Sequence, residues 1–239
     1  MKLTVLGKYG PFPKEGGATS SYLLNCNGIN ILLDLGAGAF SRLSQKINPQ
    51  DVDIIIISHF HFDHSSDLGV LNYYYQRIFS NGNFKKPTLF CPSQDGAFAE
   101  TLINNQYFSV KTVEDGDVVI EKGIRFEFFE MNHPVKCVGV KIFDGVKTFA
   151  YTGDSNISEN LDRLYSHADL VLGDGAFLLK DWNESRPHLS VSHIVDLTNK
   201  WGNRSIISHI NPDYSEIDIK NEIGNSNCEV AVEGLEYEL

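Results

Sequence analysis

Short apolar runs, each closed by a turn signal, divide the chain into β-rich stretches with a few helical periods between them. The segment SYLLNCNGINILLDLGAG carries two such runs around Asn27-Gly28, and CVGVKIFDGVKTFAYTGDS carries two around Asp144-Gly145. Asn-Gly and Asp-Gly tolerate the positive φ angles of a tight hairpin, so each stretch predicts a pair of antiparallel strands. The two hairpins share a sequel. Each ends in an Asp/Gly turn (Asp34 with Gly36 and Gly38; Gly153-Asp154), followed by a helix-like segment near 38–47 or 158–167. An apolar strand opening on an acidic residue then follows, DVDIIIISH in the first half and ADLVLGDGAF in the second. Two similar halves, each placing helices outside its own sheet, predict an α/β (α+β) chain folded as a four-layer αββα sandwich.

Two more helices follow from periodicity. One covers 67–79 (DLGVLNYYYQRIF); the other covers 190–201, with Val191, Ile194, Val195 and Trp201 on one stripe and Ser190 as its N-cap. Gly202-Asn203 ends that helix, and the strand SIIS leads to His209. His59, Asp154, Asp174 and His209 therefore all fall where a strand gives way to a loop. There a rigid sheet aims the side chain while the loop leaves its tip open. With no linker or low-complexity break, one domain over 1–239 is expected.

Composition narrows the function classes. A net charge of −11 and a pI near 5.1 argue against a broad grip on a phosphate backbone. They leave room for a small anionic substrate held at a local cationic centre. Cys26, Cys91, Cys137 and Cys228 stand singly, with no CxxC pair, as expected for reduced thiols of a cytoplasmic protein. The apolar run in MKLTVLGKYGPFP is too short for a signal peptide, and no stretch reaches the roughly 18 apolar residues of a membrane span. A soluble protein without membrane contact is expected.

The chemistry concentrates in SHFHFDHSSD, residues 58–67, directly after VDIIII. His59 and His61 lie two apart, so in extended chain their imidazoles project to one side and can meet one ion. Asp63 and His64 are adjacent and diverge unless the backbone turns. Two neighbouring cations are the natural outcome, one for each pair. Imidazole with carboxylate suits Zn²⁺, Mn²⁺ or Fe, and the lack of thiolates in the cluster argues against a structural zinc finger. Four local groups cannot complete two sites, so His133, Asp154 and His209 are candidates to join them, with Asp154 best placed to bridge.

SHFHFDH resembles the HxHxDH signature of the metallo-β-lactamase superfamily. NHPVKCVGVKI, YTGDS, LGDGAF, HLS and SHI resemble, in order, elements of its ribonuclease Z-like phosphodiesterase branch. The resemblance spans nearly the whole chain and implies a sandwich of the metallo-β-lactamase type. It implies His59, His61 and His133 on one metal, Asp63, His64 and His209 on the other, and Asp154 between them. It further implies that Asp174 and His188 assist the leaving group, Asp174 standing one methylene short of the branch's glutamate. The metals would be two divalent ions, Zn²⁺ first and Mn²⁺ or Fe as alternatives.

The implied chemistry is two-metal hydrolysis, in which paired ions lower the pKa of a bridging water, with Asp63, Asp174 and His188 as the catalytic side chains. Ribonuclease Z carries a long tRNA-gripping arm between the third histidine and the bridging aspartate; here that interval is one tight hairpin. A small or medium phosphodiester is therefore expected: a cyclic nucleotide, a cyclic phosphate or a short nucleic acid. The alternatives are tRNA 3′ processing, thioester or lactone hydrolysis on the same fold, and a non-catalytic binding member. The resemblance also implies a homodimer. Tyr73, Tyr74, Tyr75 and Phe79 could wall a pocket, although consecutive helical residues point to different sides. Residues 80–88 are expected to be a short loop with two lysines.

Overall fold

The two hairpins form where the turn dipeptides place them. Asn27 and Gly28 both take positive φ (52° and 80°). In the second hairpin the Asp144 carboxylate accepts from the backbone N–H of Val146 and Lys147 at 2.8 and 2.7 Å. The computed structural model describes residues 1–79, 82, 84–93, 96–104 and 106–239. Ser80, Asn81 and Asn83 of the expected 80–88 loop lie outside the described residues. Of its lysines, Lys85 is committed to Asp53, 2.6 Å away.

The first half contains β1 (Lys2–Gly7), β2 (Ser21–Cys26), β3 (Ile29–Leu33), β4 (Ile54–Ile56), β5 (Thr88–Pro92) and β6 (Ser109–Val113). The second contains β7 (Val118–Glu121), β8 (Ile124–Glu130), β9 (Val138–Phe143), β10 (Thr148–Tyr151), β11 (Leu170–Asp174), β12 (Arg204–Ser208) and β13 (Cys228–Val230), and the chain closes with β14 (Glu236–Glu238). Among the described residues they form two 7-stranded sheets, ordered β14-β1-β2-β3-β4-β5-β6 and β13-β12-β11-β10-β9-β8-β7. β1 to β3 pair antiparallel and β3 to β6 parallel; β8 to β10 and β10 to β13 repeat that pattern. The internal echo of the sequence is thus a repeat of topology.

Six helices cover the outer faces of the described chain: α1 (Ala39–Lys46), α2 (Phe62–Phe79) and α3 (Ala97–Ile103) on the first sheet, α4 (Glu159–Tyr165), α5 (Val191–Trp201) and α6 (Glu216–Ile223) on the second. The unbroken run Ile54–Ile57 reflects burial on both faces. Ile54 and Ile56 enter the core between the sheets, while Ile55 and Ile57 pack beneath the helices. Phe90, Phe126 and Phe128 fill the inner layer, with ring centroids 5.5–5.6 Å apart around Phe90.

Three helix expectations need adjustment. α2 begins at Phe62 rather than 67, so Asp63 and His64 lie in its first turn. That turn supplies the bend that lets two adjacent side chains reach one region. In α5, Ser190 caps the helix as expected, but Trp201 is exposed and Val195 only half-buried; Thr198 completes the buried stripe by bonding the Ile194 carbonyl and Ser205. The aromatic run on α2 is structural. Tyr75 is buried, Tyr74 donates to Asn48 and packs on Phe40, Phe79 packs on Phe84 and Tyr107, and Tyr73 faces solvent. These residues sit along the far turns of an 18-residue helix whose other end carries the histidines, and they do not wall the site.

All four cysteines are unpaired, as expected. No helix among the described residues is long and apolar enough to cross a membrane. Phe126→Ala opens a cavity in the inner layer and should cost about 3–5 kcal/mol. Urea unfolding of the two proteins, with equal m-values, measures that loss directly.

Candidate metal centre

The parallel strands of both sheets end on one edge, and the side chains singled out from sequence lie just beyond those ends. His59 follows β4, Asp154 follows β10, Asp174 ends β11 and His209 follows β12. Open α/β sheets place ligands at the carboxyl ends of their strands for this reason. Asp63 and His64 arrive from α2, His133 from the turn after β8, and His188 from the loop before α5.

These groups converge on the Asp154 carboxylate. His59 Nε2 and His133 Nε2 lie 3.5 and 4.0 Å from its Oδ2, and His61 Nδ1 lies 2.9 and 3.2 Å from those two nitrogens. On the other side His64 Nε2 is 3.2 Å from Asp154 Oδ1, and His209 Nε2 is 3.1 Å from Asp63 Oδ2 and 3.4 Å from Asp154 Oδ2. Three groups of ligand-type atoms thus share Asp154: His59, His61, His133 with Asp154; Asp63, His64, His209 with Asp154; and Asp174, His188, His209 with Asp154. The sequence-predicted residues are brought together around this one carboxylate.

The outer partners of the imidazoles fix which nitrogen faces inward. His64 Nδ1 donates to Asp34 Oδ2 at 2.8 Å. Ser58 Oγ donates to Asp34 Oδ2 at 2.8 Å and so accepts from His59 Nδ1 at 3.0 Å. His133 Nδ1 donates to the Pro187 carbonyl at 3.2 Å. Each of these rings therefore turns an Nε2 towards the centre, and for His59 and His133 that Nε2 carries a lone pair. Inside, His64 Nε2 and Asp154 Oδ1 approach to 3.2 Å without hydrogen-bond alignment, and both are buried without a partner. Buried, unsatisfied polar atoms facing one another, among imidazole and carboxylate donors, fit divalent metal binding.

Electrostatics agree. Burial, then the neighbouring His64 charge, holds His59 well below the usual imidazole range, and burial lowers His61 and His133 as well. Burial thus favours the neutral, ligating form of all three. Burial also opposes a charge on His64, but the carboxylates of Asp154, Asp63 and Asp34 outweigh it and raise His64 well above its ordinary value. Burial would raise Asp154, yet His209, His64 and His59 pull it well below the carboxylate range.

His188 stands at one rim, its Nδ1 2.7 Å from Asp174 Oδ2 and 3.7 Å from Asp154 Oδ2. Asp174 also accepts from the backbone N–H of Ser155 and Ala176, so it is held in place from three directions. Burial works against a charge on His188, but Asp174 and then Asp154 lift it to about 9. His167 lies exposed after α4, and His193 closes the capping box of α5 while packing on Trp182; neither joins the centre.

Sequence reasoning misses the support around the ligands. Asp34 reads there as a turn residue only. It is fully buried, with Oδ1 accepting from Ser58 N at 2.7 Å and Oδ2 from Tyr151 Oη at 2.5 Å, besides Ser58 and His64. The signal is present in the echo, because Asp34 ends the first hairpin where Asp154 ends the second. Gly10 escapes notice as well. A Cβ there would fall 2.1 Å from His209 Nε2, so only glycine lets the loop lie against that ring.

Fold and site together define a metal-dependent hydrolase of the metallo-β-lactamase fold. More narrowly, the chain belongs to the family described as anti-Pycsar protein Apyc1, whose model matches residues 1–228. It is 27% identical over 192 residues to the Probable metallo-hydrolase YhfI of Bacillus subtilis, covering 80% of this chain and 78% of that one. The crystal structure of YhfI superposes with a TM-score of 0.92 at 23% identity, covering 99% and 98% of the two chains. A ribonuclease Z of Methanosarcina acetivorans is 22% identical, covering 90% of this chain and 89% of its own. The cGMP-dependent 3′,5′-cGMP phosphodiesterase A of Dictyostelium discoideum is 24% identical over 87% of this chain but only 25% of its own length.

Three outcomes follow from this geometry. Asp34→Asn should weaken cation affinity roughly 10–100-fold by releasing His64 and Ser58, as read by competition with a chelator. Loading the His64 side should expel about one proton, so affinity falls as pH is lowered; calorimetry in two buffers of different ionisation heat counts it. In metal-free protein the His188 charge stabilises the fold fully below its ordinary value of 6.5, and that contribution fades as pH rises through about 9. His188→Ala should flatten this alkaline limb in urea titrations run with chelator.

Proposed function

We propose that this chain is a phosphodiesterase that works with two divalent cations, zinc first among them, on a small phosphodiester such as a cyclic nucleotide. The observation that carries the reading is the Asp154 carboxylate set between two ligand groups, with the His188–Asp174 pair at its rim. His59, His61 and His133 would hold one cation, Asp63, His64 and His209 the other, with Asp154 touching both. When bound, such a pair supplies an activated water at neutral pH and neutralises the substrate phosphate.

The chain's own residues do the rest. Asp34, Ser58 and the Pro187 carbonyl hold the imidazoles in the ligating orientation. His188, whose charged form Asp174 favours, donates a proton to the departing alkoxide and is recharged from solvent at the rim. Asp174 acts through His188: it orients the ring and sustains the charge, and its oxygens are already taken up by His188 and two backbone N–H groups. Asp63 positions His209 and takes part in the second ligand group.

Substrate size is argued from what lies between His133 and Asp154. That interval consists of β9, its turn and β10, with no room for a nucleic-acid-gripping arm. The net charge of −11 offers no substitute for one. The cyclic-nucleotide phosphodiesterase among the relatives supports the same preference.

Metal analysis beside turnover of bis-p-nitrophenyl phosphate tests the proposal. About two equivalents of metal with measurable turnover are expected, both falling in Asp154→Ala. His188→Ala should retain its metal and lose roughly 10²–10⁴ in kcat. Metal without phosphodiester turnover would move the reading to thioester or lactone hydrolysis, and a chain that takes up no metal would be a binding protein.

A further inference from the structure

Phe62 is the residue between His61 and Asp63, and it is 68% exposed. Its neighbours on both sides turn into the centre: His61 Nδ1 meets His59 and His133, and Asp63 Oδ2 meets His209. Consecutive Cα atoms are about 3.8 Å apart, so Phe62 leaves the backbone beside the two ligand groups, and its ring reaches solvent there. Leaving a phenyl ring in water forfeits a large part of its burial free energy, and among the described residues no phenylalanine is more exposed than Phe62. Phe62 is not loose, however. Phe98 of α3 packs against it in a T-shaped contact, with ring centroids 4.7 Å apart at 61°. Such a contact occupies at most one face of a ring, and the exposure of Phe62 leaves the other to solvent.

We infer that Phe62, steadied by Phe98, is a stacking platform for the nucleobase of the substrate, and that it makes the enzyme prefer nucleotides over base-free phosphodiesters. The inference rests on the phosphodiesterase reading and names the substrate feature which that reading leaves open. A phosphate at the ligand groups places the base of a nucleotide one sugar ring away, within reach of a side chain rooted between two ligands. Every base has a π-face, so such a platform tolerates different bases while rejecting a sugar phosphate that has none. It also suits an acidic protein, because stacking needs no cationic groove. Phe62 is a specificity residue rather than a catalytic one, since it carries no group that could move a proton or hold a cation.

The test compares a cyclic nucleoside monophosphate with the same cyclic ribose phosphate carrying a methoxy group in place of the base. The ratio of kcat/KM, nucleotide over base-free, should fall roughly tenfold to a hundredfold in Phe62→Ala and return in Phe62→Tyr and Phe62→Trp. Equilibrium binding of a nucleoside monophosphate and of ribose 5-phosphate to metal-loaded protein is measured alongside. If wild-type protein hydrolyses neither ester yet binds the nucleotide more tightly, and Phe62→Ala removes that preference, the platform stands and the phosphodiesterase reading falls. A ratio and a binding preference both unchanged in Phe62→Ala overturn the inference. A lower molar mass by light scattering in Phe62→Ala, with the ratio unchanged, overturns it too and assigns the ring to a contact between two copies of this chain.

Discussion

One buried carboxylate ties the two sheets together at the edge where the metal-type side chains meet. Asp34 follows β3 of the first sheet and receives the Tyr151 hydroxyl from β10 of the second. The same two oxygens take Ser58 after β4 and His64 of α2. A buried charge is tolerable only when it is this well bonded, and removing one partner exposes the remaining ones to the full desolvation cost. Asp34 reaches its partners from a left-handed backbone position (φ 54°), which aspartate accepts more readily than most residues. The orientation of the ligand side chains therefore depends on a group that touches no substrate.

The centre gathers ligand-type polar groups in a buried place. Imidazole nitrogens approach one another at 2.9–3.2 Å, and a carboxylate oxygen and an imidazole nitrogen lie buried and unbonded. The rest of the molecule holds this arrangement by packing: three buried apolar layers, and backbone pairing that runs to the edge of both sheets. Polar groupings of this kind collect at functional sites and are supported by structure elsewhere. Divalent metal held there would couple metal uptake to stability.

The repeated topology clarifies how the site is divided. Asp34 lies beyond β3 and Asp154 beyond the equivalent strand β10, at different registers; one serves the scaffold and the other faces the ligand groups. His59 beyond β4 points into the centre, while Asp174 at the end of β11 holds His188. Both sheets thus contribute ligand-type and supporting groups to the same edge.

By itself the sequence determined the local elements and the chemical character of the site. The hairpins at Asn27-Gly28 and Asp144-Gly145, the Ser190 cap and the ligand cluster were all legible, because turn dipeptides, caps and short-range spacing act between neighbours in the chain. His133, Asp154 and His209 stood out as candidates by residue type and position, but their assignment to particular sets came from an ordered resemblance, since no local rule joins residues so far apart. Tertiary structure decided what depends on distant partners. The first turn of α2 reaches back to Phe62 because its Asp63 and His64 have carboxylates and imidazoles to meet from both sheets. The tyrosine run is core, surface and a hydrogen bond to Asn48, because its helix points that end away from the site. Asp34 reads as a turn residue until the second sheet brings Tyr151 against it. Periodicity cannot encode such contacts, because each is made by two segments that only the packing of one sheet on the other brings together.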